Sequence, residues 1–214
     1  YATLDILEGL QFTYNVGVDL NNTTYKRLYN SYYGQYAQVG GIVYAGTRRR
    51  FSVNQQQLLT YKKMFGDLHY IDLLVGHETY NYKYAYQEGS KEKLFNPDTV
   101  EIDNGILNPK ANSYTDKYAT EGYLARAQYE YDNKYIFSAS YRRDASSRFA
   151  KDNRWGDFGS IGGAWVMSNE NFFMAQSWID FLKFKVSYGI QGNDALQYAD
   201  GQTLNYYPYT DQYT

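Results

Sequence analysis

The densest group of side chains able to do chemistry is Arg142, Arg143, Asp144, Arg148, Asp152 and Arg154. Arginine presents its donors as a planar fork that matches carboxylates and other bidentate acceptors. Such a group could hold an anionic or hydroxyl-rich ligand, or it could pair internally and order a loop. Tyrosine supplies a second candidate. Tyr80, Tyr82, Tyr84 and Tyr86 alternate on one strand face, and Tyr206, Tyr207 and Tyr209 cluster near the end. Flat rings suit sugar stacking, which makes Tyr82, Tyr84 and Tyr86 a candidate platform. They also suit the aromatic girdle of a membrane interface, the preferred reading for Tyr80 to Tyr86.

Other chemistries fall away. His69 and His77 lie eight residues apart on a strand, too far for one metal ion. Asp98, Glu101, Asp103, Asn104 and Gly105 offer oxygens in a loop, but their spacing fails the EF-hand pattern and lacks its closing Glu. With no Cys, two His and no Gly-rich phosphate loop, no nucleophile and base pair can be assembled, so the chain is read as a non-enzyme needing no cofactor. A net charge of -2, with Lys and Arg scattered rather than striped, gives no footprint for nucleic acid.

The elements that position these residues are strands. Among 214 residues there are 27 Tyr, 11 Phe and 3 Trp, a composition that favours pleated surfaces with one wet side. No apolar run approaches the ~18 to 20 residues of a bilayer-spanning helix, and Tyr1 to Leu20 lacks the pattern of a signal peptide. The period is two. Leu10, Phe12, Tyr14, Val16, Val18 and Leu20 alternate with Gln11, Thr13, Asn15, Gly17, Asp19 and Asn21. Tyr123 to Tyr131, Tyr135 to Tyr141 and Leu182 to Ile190 alternate likewise, leaving Arg126, Gln128, Glu130, Ser138, Ser140, Lys183 and Lys185 on the polar face. These runs match the ~9 to 11 residues of a tilted strand crossing a bilayer rather than the ~5 to 6 of a soluble domain. Lys183 and Lys185 toward lipid would cost about 2 to 4 kcal/mol each, which fixes the phase.

Short turns are expected at Leu7-Glu8-Gly9, Phe65-Gly66-Asp67 and Asp132-Asn133, the first with Gly9 left-handed, Ile6 opposite Leu10 and Leu4 opposite Phe12. Long connections are expected at Asn22 to Gly41, Gln87 to Tyr118, Asp144 to Gly156 and from Gln191 onward, with a short helix within Ser168 to Asp180. The predicted strands cover about 2 to 7, 10 to 21, 42 to 63, 68 to 86, 119 to 131, 135 to 144, 157 to 167 and 181 to 191, with a ninth near Thr214. The 42 to 63 and 68 to 86 pair exceeds a bilayer's need and is expected to extend outside it as a hairpin. The fold class is therefore an all-β, antiparallel transmembrane barrel segment.

Tyr141-Arg142-Arg143-Asp144-Ala145-Ser146-Ser147-Arg148-Phe149, followed by Asn153-Arg154-Trp155-Gly156, resembles the R-R-D-G-S-S-R-F-G … N-R-W-G stretch of SusC/RagA-like TonB-linked outer-membrane transporters of Bacteroidetes. Gly163 to Glu170 resembles the family's G-W-x-I-S-x-E segment, and Leu182 to Asn193 its L-K-x-x-x-S-Y-G-x-x-G-N. Ala145 and Ala150 replace usual glycines, and Gly159 stands where the family often has Pro.

The resemblance implies a 22-stranded barrel, a plug domain, a TonB-contacting segment, a SusD-like surface lipoprotein and a glycan or peptide substrate, in a Gram-negative outer membrane. Neither plug nor TonB box is visible here, and 22 strands at ~10 residues need ~220 residues before any loop. Residues 1 to 214 are accordingly read as part of one barrel domain. Because the arginine group falls in a stretch shared across the family, loop ordering is its favoured role. Arg126, Glu130, Arg142, Arg143, Asp144, Arg148 and Arg154 remain candidate lumen or rim contacts. Two rivals stand: a complete small outer-membrane barrel of adhesin or porin type, and a soluble Tyr-rich glycan-binding β-sandwich.

Overall fold

The computed structural model describes residues 1–173, 179–198 and 204–209. Eight antiparallel strands form one sheet in chain order: β1 (Ala2–Leu7), β2 (Leu10–Tyr29), β3 (Ile42–Phe65), β4 (His69–Leu94), β5 (Gly105–Tyr131), β6 (Tyr135–Ser146), β7 (Trp155–Val166) and β8 (Lys183–Ile190). The sheet is open, with β1 and β8 as its edges. A closed eight-stranded barrel would join those edges, and a sandwich would need two packed sheets. The expected ninth strand near Thr214 lies outside the described residues.

Chain contacts divide the molecule into two compact units. The first comprises Tyr1–Gly17, Asn54–Tyr80 and Ala119–Thr214, the second Val18–Val53 and Asn81–Tyr118. β2, β3, β4 and β5 contribute to both, at 20, 24, 26 and 27 residues. Excess length is therefore a property of four strands rather than the expected two. The connections shorten to match. β2 runs on to Tyr29, and the connection expected from Gln87 to Tyr118 shrinks to 95–104.

Sequence reading placed a loop there because Asn-Pro occurs twice. Only Pro97 is in the connection. Pro109 sits within β5, where the missing N–H is accommodated by an irregular strand: Asn108 takes φ 51 and its amide donates to Glu92 at 2.6 Å, while Lys93 takes φ 59.

The turns at the opposite strand ends are tight. Asp132 and Asn133 are both left-handed, at φ 52 and 53, and Lys134 N–H donates to the Tyr131 carbonyl at 2.9 Å. That is the mirror-image turn whose twist suits a hairpin. At the first turn Gly9 is left-handed (φ 81), and a Cβ there would lie 2.2 Å from the Lys62 carbonyl oxygen, so both conformation and space demand glycine. Leu4 faces Phe12 as expected. Leu10, however, pairs with Leu7 rather than Ile6, because the register shifts between Asp5 and Leu7. Within Ser168 to Asp180, a 3-10 turn covers Met167–Asn169, and positions 174–178 lie outside the described residues.

Almost nothing apolar is enclosed. Ile42, Val43 and Val166 are the buried hydrophobic residues among those described, whereas Val186, Tyr188, Ile161, Val18 and Leu4 are each more than 60% exposed. A water-soluble sheet of this size covers such a face, so this one is built to meet an apolar surrounding. No helix among the described residues is long and apolar enough to cross a membrane.

Candidate functional site

Register sorts the side chains of the first unit onto two faces. Ala127 opposes Ala139, which opposes Ile161, which opposes Tyr188; Phe137 opposes Gly163, which opposes Val186. Bulky residues thus lie beside Ala and Gly, and a groove of about 650 Å³ forms on this face, lined by Ile71, Leu73, Ala127, Phe137, Ile161 and Val186.

Two aromatic belts bound it. Toward the long connections, Tyr123 stacks between His77 at 4.8 Å and Trp155 at 5.9 Å, with Tyr141 donating to Asp157 at 2.5 Å. Toward the tight turns, Tyr131 meets His69 at 5.1 Å and Tyr135 at 6.4 Å, while Trp165 lies 6.4 Å from Phe184. Tyr123 and Tyr131 are eight residues apart, hence about 26 Å along the strand and roughly 20 Å in height at a tilt near 40°. That approaches the ~25 Å apolar band of an outer-membrane barrel. Both histidines have partners within these belts: His69 with Tyr129 at 2.6 Å, His77 with Gln57 at 2.9 Å and Glu121 at 3.1 Å.

The other face is polar and cross-linked. Asp72, only 9% exposed, meets Arg126 at 3.4 Å and Lys62 at 3.9 Å. Glu78 accepts from Gln56 at 2.6 Å and from Arg142 at 2.7 Å, and Arg142 also donates to Asp144 at 2.7 Å. Gly122 makes room, since a Cβ there would lie 2.4 Å from Asp144 Oδ1. Glu130 opposes Ile136 on this phase.

The arginine group is therefore not one cluster. Arg142 belongs to the polar face. Arg143 projects to the other, over Trp155 at 5.5 Å and 3.8 Å from Asp157. Arg148 is 5% exposed and donates to the Asp194 carbonyl at 2.8 Å; Arg154 donates to the Phe149 carbonyl at 3.1 Å. Arg148 thus ties the 147–154 connection to Asp194, and Arg154 bonds within that connection.

Tyr84 and Tyr86 lie in the second unit. They share the even-numbered alternation of β4 with Tyr82 and Glu88. Their rings meet Tyr114 at 5.8 and 5.1 Å, and Arg50 and Arg48 stand over them at 5.7 Å each. Arg48 also lies 5.0 Å from Tyr25, and Arg27 lies 5.0 Å from Tyr25 and 5.4 Å from Tyr44.

At the centre, Glu88 accepts from Tyr25 at 2.6 Å and Arg27 at 2.9 Å. The Tyr25 hydrogen bond, opposed by burial and aided by Arg27, holds the Glu88 carboxyl below its ordinary range. Burial and Glu88 hold the Tyr25 phenol well above its own, and Tyr44 is pushed up to about 12 by its hydrogen bond to Tyr36 and by burial. Both phenols are neutral at physiological pH.

Sequence reading missed Tyr25, Arg27, Arg48, Arg50, Glu88 and Tyr114. Their signal was present as alternation within strands, but which strands lie side by side depends on loop lengths that were misread. In the candidate calcium loop Glu101 pairs with Lys26 of β2 and Asp103 with Lys91 of β4 at 3.2 Å, and the Asn104 amide donates to the Asn96 and Thr99 carbonyls at 2.6 Å.

No protein-family model matches the chain. It is 31% identical to TonB-dependent receptor P3 of Formosa agariphila over 92% of its length, and 28% identical to TonB-dependent receptor SusC of Bacteroides thetaiotaomicron over 86%. Its fold superposes on a chain of the RagAB peptide transporter with a TM-score of 0.79 at 26% identity, over 86% of this chain and 21% of that one. The chain belongs to the SusC/RagA-like TonB-dependent receptor family. It spans about a fifth of the length of the curated relatives it matches. In this family setting the open antiparallel sheet is consistent with a segment of a β-barrel.

Proposed function

We propose that this SusC/RagA-like chain is wall, lumen lining and extracellular loop of an outer-membrane nutrient importer energised through TonB. The observation that carries the reading is the two-faced sheet, apolar and exposed between aromatic belts on one side, ion-paired and polar on the other. In the whole transporter a plug would close the lumen, a TonB-contacting segment would displace it, and a SusD-like surface lipoprotein would capture substrate. The length of β2 to β5 beyond a bilayer's need supports an extension outside the membrane.

The substrate is a glycan or a peptide. The RagAB assembly is named a peptide transporter, and the tyrosine-rich second unit favours a glycan for this chain, because stacked rings suit pyranose faces. Enzymatic chemistry has no part in this reading.

The test is fractionation and uptake with the intact gene product. Expected are outer-membrane residence, heat-modifiable gel migration, and loss of growth on a polymeric nutrient when either this gene or tonB is deleted. A product found in the soluble fraction overturns the proposal.

A further inference from the structure

Arg48 and Arg50 of β3 are exposed, and neither has a carboxylate partner among the described residues, although Arg27 beside them is neutralised by Glu88. Each lies against tyrosine: Arg48 over Tyr25 and Tyr86, Arg50 over Tyr84. A guanidinium resting on a ring uses its π face and keeps its in-plane N–H fork open for an oxyanion. The stacking also removes much of the rotamer freedom that binding would otherwise have to freeze. Two residues apart on one strand, the pair lies about 6.7 Å apart at Cα, close enough to engage two acidic groups of one oligomer.

We infer that this Tyr/Arg face binds an acidic saccharide, with Arg48 and Arg50 forking carboxylate or sulfate groups and the half-exposed Tyr114 ring packing against a pyranose C–H face. The inference rests on the nutrient-import reading above and names its substrate class. The face discriminates against a peptide. An extended peptide is gripped chiefly through its backbone, by adding to a strand edge, whereas here β2 to β5 are interior strands whose neighbours are already in place. Donors also dominate. Glu88 already accepts from Tyr25 and Arg27, and the other nearby carboxylate, Asp116, lies on the Tyr114 side, so peptide N–H groups would find few open acceptors beside the arginine pair while saccharide hydroxyls and acids meet guanidinium and phenol donors.

The test uses the intact transporter purified in detergent, titrated with oligogalacturonate hexamer, a heparin-derived hexasaccharide, neutral maltohexaose and hexaglutamate. At least one acidic saccharide is expected to bind tenfold or more tighter than maltohexaose and hexaglutamate, and to weaken as salt rises. Arg48→Gln/Arg50→Gln is expected to lose tenfold or more of that affinity, and Tyr114→Ala to weaken it while sparing the salt dependence. If the double variant loses heat-modifiable migration, Arg50→Gln alone serves, since Arg50 contacts Tyr84 and no acid. The inference is overturned if neither acidic saccharide binds, if the arginine variants bind as the parent does, or if hexaglutamate binds tightest. Fractionation keeps the two readings separate: an outer-membrane importer indifferent to acidic saccharides overturns this inference alone.

Discussion

Arg142 and Glu78, 64 positions apart in the chain, meet at 2.7 Å and join β6 to β4 across the intervening β5. The contact depends on Gly122 between them, which leaves the width of a side chain for the guanidinium and Asp144 to cross. Both partners are part-exposed, at 46% and 22%, so solvent screens the pair and its coupling is modest. Arg142→Gln and Glu78→Gln should each destabilise the barrel, and a double-mutant cycle in denaturant should return a coupling of about 0.5 to 1 kcal/mol. A coupling indistinguishable from zero would show the two groups to be independent rim charges.

Gly46 does the equivalent service in the second unit. A Cβ at position 46 would lie 2.6 Å from the Tyr25 hydroxyl and 2.7 Å from its Cζ. Gly46→Ala should push the Tyr25 ring off Glu88 and Arg48 and destabilise the unit by about 1 to 3 kcal/mol. Amide exchange at positions 44 to 50 and 84 to 88 should accelerate roughly fivefold or more. The same Cβ would also lie 2.8 Å from the Gln87 carbonyl oxygen, so Tyr25→Ala/Gly46→Ala should still exchange faster than Tyr25→Ala alone, and a double variant that matches Tyr25→Ala would show the ring to be the whole obstacle.

The sequence made some of this legible and hid the rest for physical reasons. Period-two alternation separated the two faces of the sheet: Tyr129 lies beside Phe137 and Gln128 beside Ser138, as the alternation requires. The same arithmetic would have separated Arg142 from Arg143, since adjacent strand residues point to opposite faces; grouping them by proximity in sequence obscured it. Pro109 was harder. Whether Asn-Pro ends a strand or bends it depends on a neighbouring strand able to absorb the irregularity, and Lys93 and Asn108 do so together. Pairing of Tyr84 and Tyr86 with Tyr114 followed from that misread connection, because a loop from 87 to 118 would have left Tyr114 outside the sheet.

Acid should loosen the Tyr25–Arg27–Glu88 cluster. Glu88 has a lowered pKa in the folded protein, so its contribution to stability is complete above the ordinary carboxylate value of 4.5 and is lost as pH falls through the lowered value. Protonation turns an acceptor of two hydrogen bonds into a poor partner for Arg27. Amide exchange at positions 25 to 29 and 84 to 88 should rise relative to the rest of the protein as pH drops below about 4.5, after correction for intrinsic rates. Glu88→Gln should show the faster exchange already at pH 7 and little further change on acidification. A parent protein whose second unit is equally protected at pH 3 and 7 would contradict the assignment.

The face assignment itself is tested on β8, where Val186 and Ser187 are neighbours in sequence and opposites in the wall. Val186 is 75% exposed and sits beside Gly163, between the Trp165–Phe184 contact and Ile190. Ser187 is exposed on the phase that also carries Lys183 and Lys185. A lysine at 186 would place its ammonium in hydrocarbon, at a cost of about 2 to 4 kcal/mol near the midplane, reduced if the side chain snorkels. A lysine at 187 would join two lysines in the watered interior and should change stability by less than about 1 kcal/mol. Folding of the intact transporter into lipid vesicles should therefore fall sharply for Val186→Lys and hold for Ser187→Lys. The reverse order would invert the wall, placing the Arg142–Glu78 network against lipid and the aromatic belts inside.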